Sequence, residues 1–354
     1  MASWRLTPFC AGRSPIDWAR SYFGNSVSCV CEAQSRAGCS LRGSACFGNA
    51  KRAEFTRKNG FNIDQTGREK ANVNAATITR RSKSNLALAF VSLGRERKRD
   101  ITIFYAFCRV VDDIADSAEL SVIEKRVRLA NWRQMLRTSG LDEPLLARDV
   151  RQLMHKYSLP PEMLEEIISG VEMDLGIVRY STFKELRVYC YRVASAVGLV
   201  SIEIFGYRNP RCRQYAIDLG LALQMTNIIR DVAKDFQAGR IYLPQEDLAR
   251  FHYSEKELAK QQYNEHFLQL MQFEATRAQE FFTSAAAELP PEDRRAMAPA
   301  EIMGSIYRAL LRRIELDNFR VLEKEYRLSK LEKAGRIATQ LLKSFLNLQS
   351  RTSV

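Results

Sequence analysis

Two short acidic runs, Asp112-Asp113-Ile114-Ala115-Asp116 and Asn227-Ile228-Ile229-Arg230-Asp231-Val232-Ala233-Lys234-Asp235, leave this chain few ways to fold. Each lies among strong helix formers with apolar residues at helical spacing. Residues four apart on a helix share a face, so Asp112 and Asp116 point one way, and Asn227, Asp231 and Asp235 form a second stripe. Like charges one turn apart cost roughly a few tenths of a kcal/mol on an exposed helix, and far more when buried unpaired. Acids stacked this way twice among apolar neighbours call for a cation. Oxygen ligands in such an arrangement suit Mg²⁺, which takes a few carboxylates and completes its shell with water and phosphate oxygens.

From Asn85 onward nearly all of the chain carries the helical period. The pattern predicts helices at about 84–94, 97–117, 121–138, 143–156, 160–176, 182–205, 209–235, 254–288, 294–325 and 329–348. Leu159-Pro160-Pro161 and Asn209-Pro210 open helices, because proline is tolerated in a first turn. Leu289-Pro290-Pro291 closes the long helix before it, and Gly239-Arg240-Ile241-Tyr242-Leu243-Pro244 is the clearest non-helical link. No stretch alternates with period two long enough to nominate a sheet. The fold class is all-α, a single domain of long helices around a central apolar cavity.

Of the 354 residues, 46% are apolar and the formal charge is +13. Before residue 80 the basic residues clearly outnumber the acids, periodicity is lost, and five of the eight cysteines gather (Cys10, Cys29, Cys31, Cys39 and Cys46). Residues 1–81 therefore read as an extension separate from the fold. It is either disordered and without structural role, or an Arg- and Ser-rich organelle targeting peptide. Its cysteine spacings match no zinc pattern. Cys108, Cys190 and Cys212 fall within helical patterns and read as buried free thiols. No apolar run reaches the ~18 to 20 residues of a membrane span; the most apolar window, Val197 to Phe205, is short and contains Glu203. Nucleic acid is not an expected partner, since Lys and Arg are scattered and the acidic runs repel phosphate without a metal. The positive balance fits anionic substrates or lipid headgroups equally well.

Gln224, Asn227, Asp231 and Asp235 make one polar stripe along a helix whose other faces carry Leu221, Leu223, Met225, Ile228, Ile229 and Val232. A helix apolar most of the way round is buried, so the stripe is expected to line a cavity. Around Asp112 the plain alternative is an ion pair with Arg109 of the same helix. The functional alternative makes Asp112 and Asp116 metal ligands, with Asp113 as a ligand or in support. Arg109 and Arg230 each shortly precede an acid, and guanidinium groups beside Mg²⁺ and carboxylates fit a diphosphate.

These residues resemble the squalene/phytoene synthase family, which joins two prenyl diphosphates head to head. The resemblance rests on Tyr105-Ala106-Phe107-Cys108-Arg109-x-x-Asp112-Asp113-Ile114-Ala115-Asp116, on Tyr191-Arg192-Val193-Ala194-Ser195-Ala196-Val197-Gly198, and on Gln224-Met225-Thr226-Asn227-Ile228-Ile229-Arg230-Asp231-Val232-x-x-Asp235. It continues through Gly239 to Pro244 and ends near Tyr307-Arg308-Ala309-Leu310. A DDxxD alone would be weak; the second motif with its Arg-Ile-Tyr-Leu-Pro sequel is specific.

The resemblance implies an isoprenoid-synthase domain over residues 82–345, followed by a tail at 346–354. It assigns Asp112 and Asp116, with Asp113 in support, to one metal site and Asn227, Asp231 and Asp235 to the other. Arg109, Arg230, Arg240 and Lys234 would bind diphosphate. Tyr105, Arg109, Tyr242 and Tyr307 would act near the reacting carbons. The implied reaction is a 1′-1 condensation through a cyclopropyl diphosphate, of two farnesyl diphosphates to presqualene diphosphate or squalene, or alternatively of two geranylgeranyl diphosphates to phytoene. A catalytically silent relative used in assembly is disfavoured, because every metal-binding position is kept. Mg²⁺, with Mn²⁺ as a substitute, is the implied cofactor, and NADPH enters only where squalene is the final product. A monomer or weak dimer is expected, in the cytoplasm or peripheral to the inner membrane of a bacterium, or in a plastid or mitochondrion if residues 1–81 are a transit peptide. Three positions depart from the family's text: Ser195 where glycine is common, Ser84-Asn85-Leu86-Ala87-Leu88 at a diphosphate flap, and Lys324 near a frequent arginine.

Overall fold

The computed structural model describes residues 89–349, with side chains through residue 342, all within the unit Ala71–Val354. The extension 1–81, the departure at Ser84–Leu88 and residues 350–354 of the tail lie outside the described residues. Twelve α-helices follow one another among those described: α1 (Arg95–Asp116), α2 (Val122–Arg137), α3 (Leu145–Lys156), α4 (Pro161–Met173), α5 (Phe183–Cys190), α6 (Ala196–Phe205), α7 (Arg211–Gln237), α8 (Gln245–Arg250), α9 (Glu255–Ala259), α10 (Glu265–Glu288), α11 (Ala298–Leu316) and α12 (Lys330–Gln349). A π-turn, Tyr191–Ser195, joins α5 to α6 without a break in the helix. The extended pairing among the described residues is a single parallel bridge, Arg179 with Ile241.

Of the expected helix at 84–94, residues 84–88 lie outside the described residues; Ala89 is helical and a 3-10 turn at Phe90–Ser92 follows, stopped by extended backbone at Leu93 and Gly94. Two expected helices come out differently. The span 254–288 divides at Gln261, which takes a left-handed φ of +49°, and restarts where the Asn264 side chain accepts from the Phe267 amide at 2.9 Å. Such a cap satisfies one of a new helix's orphan N–H groups. The span 294–325 stops at Leu316 because Asn318 and Phe319 both turn left-handed. That conformation costs a non-glycine residue roughly 1 kcal/mol or more. Burial of the Phe319 ring and a bond from its amide to Ile314 at 2.9 Å offset it.

Helix α7 forms the axis, with α10, α6, the π-turn and α11 packed round it. Its contact with the π-turn is almost backbone on backbone. A β-carbon on Gly220 would lie 2.6 Å from the Ser195 Cα, and one on Gly198 would lie 3.0 Å from the Ala216 carbonyl oxygen. Ser195 fills the crossing and donates to the Ile217 carbonyl at 2.7 Å. Its hydroxyl is thus accommodated because the glycine stands on the opposing helix. The stretch Phe183–Phe205 has the length and apolarity of a membrane span, but more than half of that window is buried against these neighbours. Cys108, Cys190 and Cys212 are buried free thiols.

A buried charge cluster joins α10 to α8 and the start of α5. Arg277 donates to Asp247 at 2.9 Å and to Glu274 at 2.7 Å, with its guanidinium 3.9 Å from the Phe183 ring centre. One cation faces two buried carboxylates, so one negative charge is in excess. Burial drives the Glu274 carboxyl well above its ordinary range, against the pull of Arg277. A carboxyl whose pKa is raised by folding stabilises the fold at acid pH, and that contribution is lost as the pH climbs through the raised value. Glu274→Gln, neutral at every pH, is therefore expected to melt near the parent at about pH 4 and increasingly above it as the pH rises to about 9, read by thermal denaturation. Arg277→Ala, which strands both acids, is expected to cost about 3–5 kcal/mol in urea denaturation at neutral pH.

Candidate active site

The buried face of α1 is aromatic and aliphatic: Ile101, Phe104, Tyr105, Phe107, Val110 and Val111. Phe107 packs edge-on against Trp132 of α2, with ring centres 5.5 Å apart. Asp112, Asp113 and Asp116 are left on the last turn, where the helix's carbonyl dipole is already negative. Arg109 lies 2.5 Å from Asp113 and 3.7 Å from Asp112, so the expected ion pair within the helix is present. Tyr105, one turn earlier, is buried edge-on to Phe90.

The second run holds its polar stripe half-buried while Leu221, Met225, Ile228, Ile229 and Val232 are fully buried. Arg230 grips Asp231 with both guanidinium edges, Nε to Oδ1 at 2.8 Å. Asn227 donates to Gln224 at 3.2 Å, while its own Oδ1 is buried without a hydrogen-bond partner. Tyr307 of α11 meets Arg230 and Asn227 through its hydroxyl.

The Gly239–Pro244 link brings the runs together. Gly239 takes φ +81°, its amide bonds Phe236 at 2.9 Å, and the Arg240 amide returns to the Asp235 carbonyl at 2.9 Å. This is the Schellman closure, in which a left-handed residue reverses the chain over the last turn. The reversal places the Arg240 guanidinium 4.0 Å from Asp116, so one side chain faces both acidic runs. Ile241 then pairs with the segment after α4, its amide bonding Val178 at 3.0 Å. Tyr242 follows and donates to Asp174 at 2.8 Å.

Asp174, Tyr189 and Tyr180 were not singled out from the sequence. Tyr189 stacks on Tyr242 with ring centres 5.0 Å apart and reaches Asp174 at 3.1 Å. Tyr180 packs against both, 6.1 Å from the Tyr242 ring centre and 5.6 Å from that of Tyr189. The available signal was an acid directly after an apolar helix, Val171-Glu172-Met173-Asp174, and a tyrosine two residues before a quoted motif.

The acids are under-compensated. Burial chiefly, and neighbouring carboxylates, push Asp112 and Asp235 up to about 7, and burial raises Asp113 and Asp174. Asp116 remains 68% exposed at the rim, and Lys234 points outward beside Asp235. No three acidic, histidine or cysteine side chains among the described residues converge as a ready-made metal cage. An orphaned amide oxygen and an oxygen-only donor set with excess negative charge nevertheless fit Mg²⁺, which needs few protein ligands when phosphate supplies the rest. Lys324, at the third departure, is tied to Asp317 at 2.5 Å. Up α7 from Leu223 to Tyr215, an apolar cavity of about 90 Å³ opens between α6, α7 and α11 and is lined by Val197, Phe205, Leu219 and Met303.

A sequence profile described as Squalene/phytoene synthase matches residues 79–332. The 15-cis-phytoene synthase of Synechococcus elongatus is 33% identical over 261 residues, covering 70% of this chain and 84% of that protein. The phytoene synthase of Mycobacterium tuberculosis is 33% identical over 272 residues, covering 76% and 89%. A crystal structure of a dehydrosqualene synthase superposes with a TM-score of 0.67 at 24% identity, covering 77% of this chain and 95% of that one. Squalene synthase HpnC from Alicyclobacillus acidocaldarius gives 0.63 at 25% identity, covering 69% and 93%. The architecture is the all-α isoprenoid synthase fold. The chain belongs to the squalene/phytoene synthase family, prenyltransferases that condense prenyl diphosphates head to head.

The Asp174 cluster yields a paired test. Tyr242→Phe removes a donor from a buried carboxylate and is expected to cost about 2 kcal/mol in urea denaturation. The Tyr180 hydroxyl is buried without a hydrogen-bond partner, so Tyr180→Phe is expected to be neutral or mildly stabilising in the same assay.

Proposed function

We propose that this chain is a Mg²⁺-dependent synthase that condenses two geranylgeranyl diphosphates to phytoene. The convergence of both acidic runs on Arg240, with an apolar cavity further along α7, supports the chemistry. The names of the relatives at 33% identity support the substrate, and they favour the geranylgeranyl alternative over the farnesyl reading placed first from the sequence. Residues 82–345 are taken as the catalytic domain, with 1–81 as an extension.

In this reading Asp112 and Asp116, backed by Asp113, hold one metal site, and Asn227, Asp231 and Asp235 hold the other. Bound Mg²⁺ supplies charge to bind a substrate diphosphate and to stabilise it as it leaves. Arg109, Arg230 and Arg240, with Lys234 at the rim, clamp the diphosphate oxygens. Guanidinium forks match that geometry bidentately. Loss of diphosphate leaves an allylic cation, which the C2–C3 double bond of the second substrate attacks. Proton loss then closes the cyclopropyl diphosphate. In this reading Tyr105, Tyr242 and Tyr307 act near the reacting carbons, where aromatic faces attract a cation. The apolar wall keeps water from quenching it. A second ionisation opens the ring and deprotonation gives phytoene, a route without NADPH.

Mass spectrometry of products from farnesyl and from geranylgeranyl diphosphate, each with and without NADPH, tests the assignment. A C40 hydrocarbon from the longer substrate, indifferent to NADPH, is expected; squalene made only with NADPH would restore the farnesyl reading. Asp231→Ala is expected to lower turnover by about 100-fold or more. Mg²⁺ with inorganic pyrophosphate is expected to raise the melting temperature of the parent, and EDTA to reverse the rise. Undiminished turnover in Asp231→Ala would remove the metal assignment.

A further inference from the structure

The turn that carries Arg240 toward the acidic runs has little packing to hold it. Gly239 is left-handed at φ +81°, and nothing beyond its chain neighbours lies within 4 Å of where a β-carbon would stand. A glycine in open space keeps more backbone freedom than any other residue. The far end of the link is pinned by backbone pairing. There the Gln245 amide bonds the Tyr180 carbonyl at 2.9 Å, and the Glu246 amide bonds the Ser181 carbonyl at 3.1 Å. The near end is held by a side chain instead.

Arg179, in the segment after α4, lays its guanidinium against that end. One Nη donates to the Gly239 carbonyl at 2.9 Å and to the Val178 carbonyl at 2.8 Å. Nε and the other Nη grip Glu255, the first residue of α9, at 2.9 and 3.1 Å. A two-edged pairing of this kind fixes the plane of a guanidinium as well as its place, so the remaining Nη is aimed at the Gly239 carbonyl. The Arg240 amide already bonds the Asp235 carbonyl at 2.9 Å. The peptide between Gly239 and Arg240 is therefore tied at both its C=O and its N–H, and the Arg240 side chain starts from one fixed place.

We infer that Arg179, oriented by Glu255, is a positioning residue that fixes Arg240 beside Asp116 and so aligns it for a substrate diphosphate. Stability does not account for the pair. Its side chains are 29% and 40% exposed, and ion pairs at that exposure contribute little to folding. Direct contact with substrate does not account for it either, because the guanidinium is engaged on all its nitrogens by Glu255 and two carbonyls. What it does reach is the backbone of the turn whose side chain faces both acidic runs. A displacement of about 1 Å in a group that orients a reacting centre can cost on the order of 100-fold in rate. The effect on turnover rests on the diphosphate reading of Arg240; the hold on the turn does not.

Turnover and hydrogen exchange in the full chain test the inference together. Arg179→Ala is expected to lower kcat/KM for geranylgeranyl diphosphate by about 10- to 100-fold while melting close to the parent. Arg179→Lys, which keeps the charge and a donor but not the fork, is expected to fall between the two. Glu255→Gln, which loosens the guanidinium without removing it, should move turnover the same way and by less. Arg240→Ala is expected to lower kcat/KM by about 100-fold or more. Adding Arg179→Ala to Arg240→Ala should then change it by less than about twofold, since the brace has nothing left to hold. Deuterium uptake by a peptide covering residues 237–244, read by mass spectrometry, is expected to be faster in Arg179→Ala than in the parent. Unaltered uptake would overturn the inference, and so would additive losses in the double variant. A lowered melting temperature with the parent's turnover would reduce Arg179 to a structural role. Full turnover in Arg240→Ala, with faster uptake in Arg179→Ala, would sink the diphosphate reading and leave the brace standing.

Discussion

Excess negative charge at the ends of two helices is the constraint on which this structure turns. Helix α1 stops at Asp116 and α7 stops two residues after Asp235. At both ends the carbonyl dipole adds to the carboxylates instead of opposing them. With Asp174, six acids (Asp112, Asp113, Asp116, Asp174, Asp231 and Asp235) face three guanidinium groups, those of Arg109, Arg230 and Arg240. Burial without full compensation is why Asp112 and Asp235 titrate far above ordinary aspartates. Such a deficit does not serve stability and marks a functional site; in the proposed reading, cations from outside offset it.

Much of this was legible in the sequence because it is periodic. Spacing alone placed the stripe on α7, and the apolar residues round it correctly implied burial. The Gly239–Pro244 link announced itself through its glycine and proline. What stayed hidden depends on conformations that composition does not encode. Gln261, Asn318 and Phe319 adopt left-handed backbone without being glycine, held by caps and by burial of the Phe319 ring. They divided one expected helix and shortened another. Asp174 and Tyr189 escaped notice because their importance arises from pairing across the fold, through the bridge between Arg179 and Ile241. Single-chain patterning carries local geometry well and long-range pairing hardly at all.

The near-contact of α7 with the π-turn connects packing to chemistry. π-turns inside α-helices tend to mark functional sites, and this one presses Ser195 against the backbone of the helix that carries Gln224 and Asn227. Side chains cannot slide through a crossing already down to glycine and serine. The stripe on α7 is therefore fixed in height relative to α6. The apolar cavity, which shares Gly198, Leu219 and Gly220 with that crossing, inherits the same rigidity.

In the proposed reading, the pairing of Arg109 with Asp112 and Asp113, and of Arg230 with Asp231, governs how cargo is received. Each guanidinium is busy with a neighbour on its own helix, so capture of an incoming anion is an exchange of partners and not a simple addition. An anion arriving alone would strand carboxylates as it drew the arginines away. One arriving with its divalent counterions returns a positive charge to every acid it uncouples, so ion and anion are best admitted together, as a neutralising package.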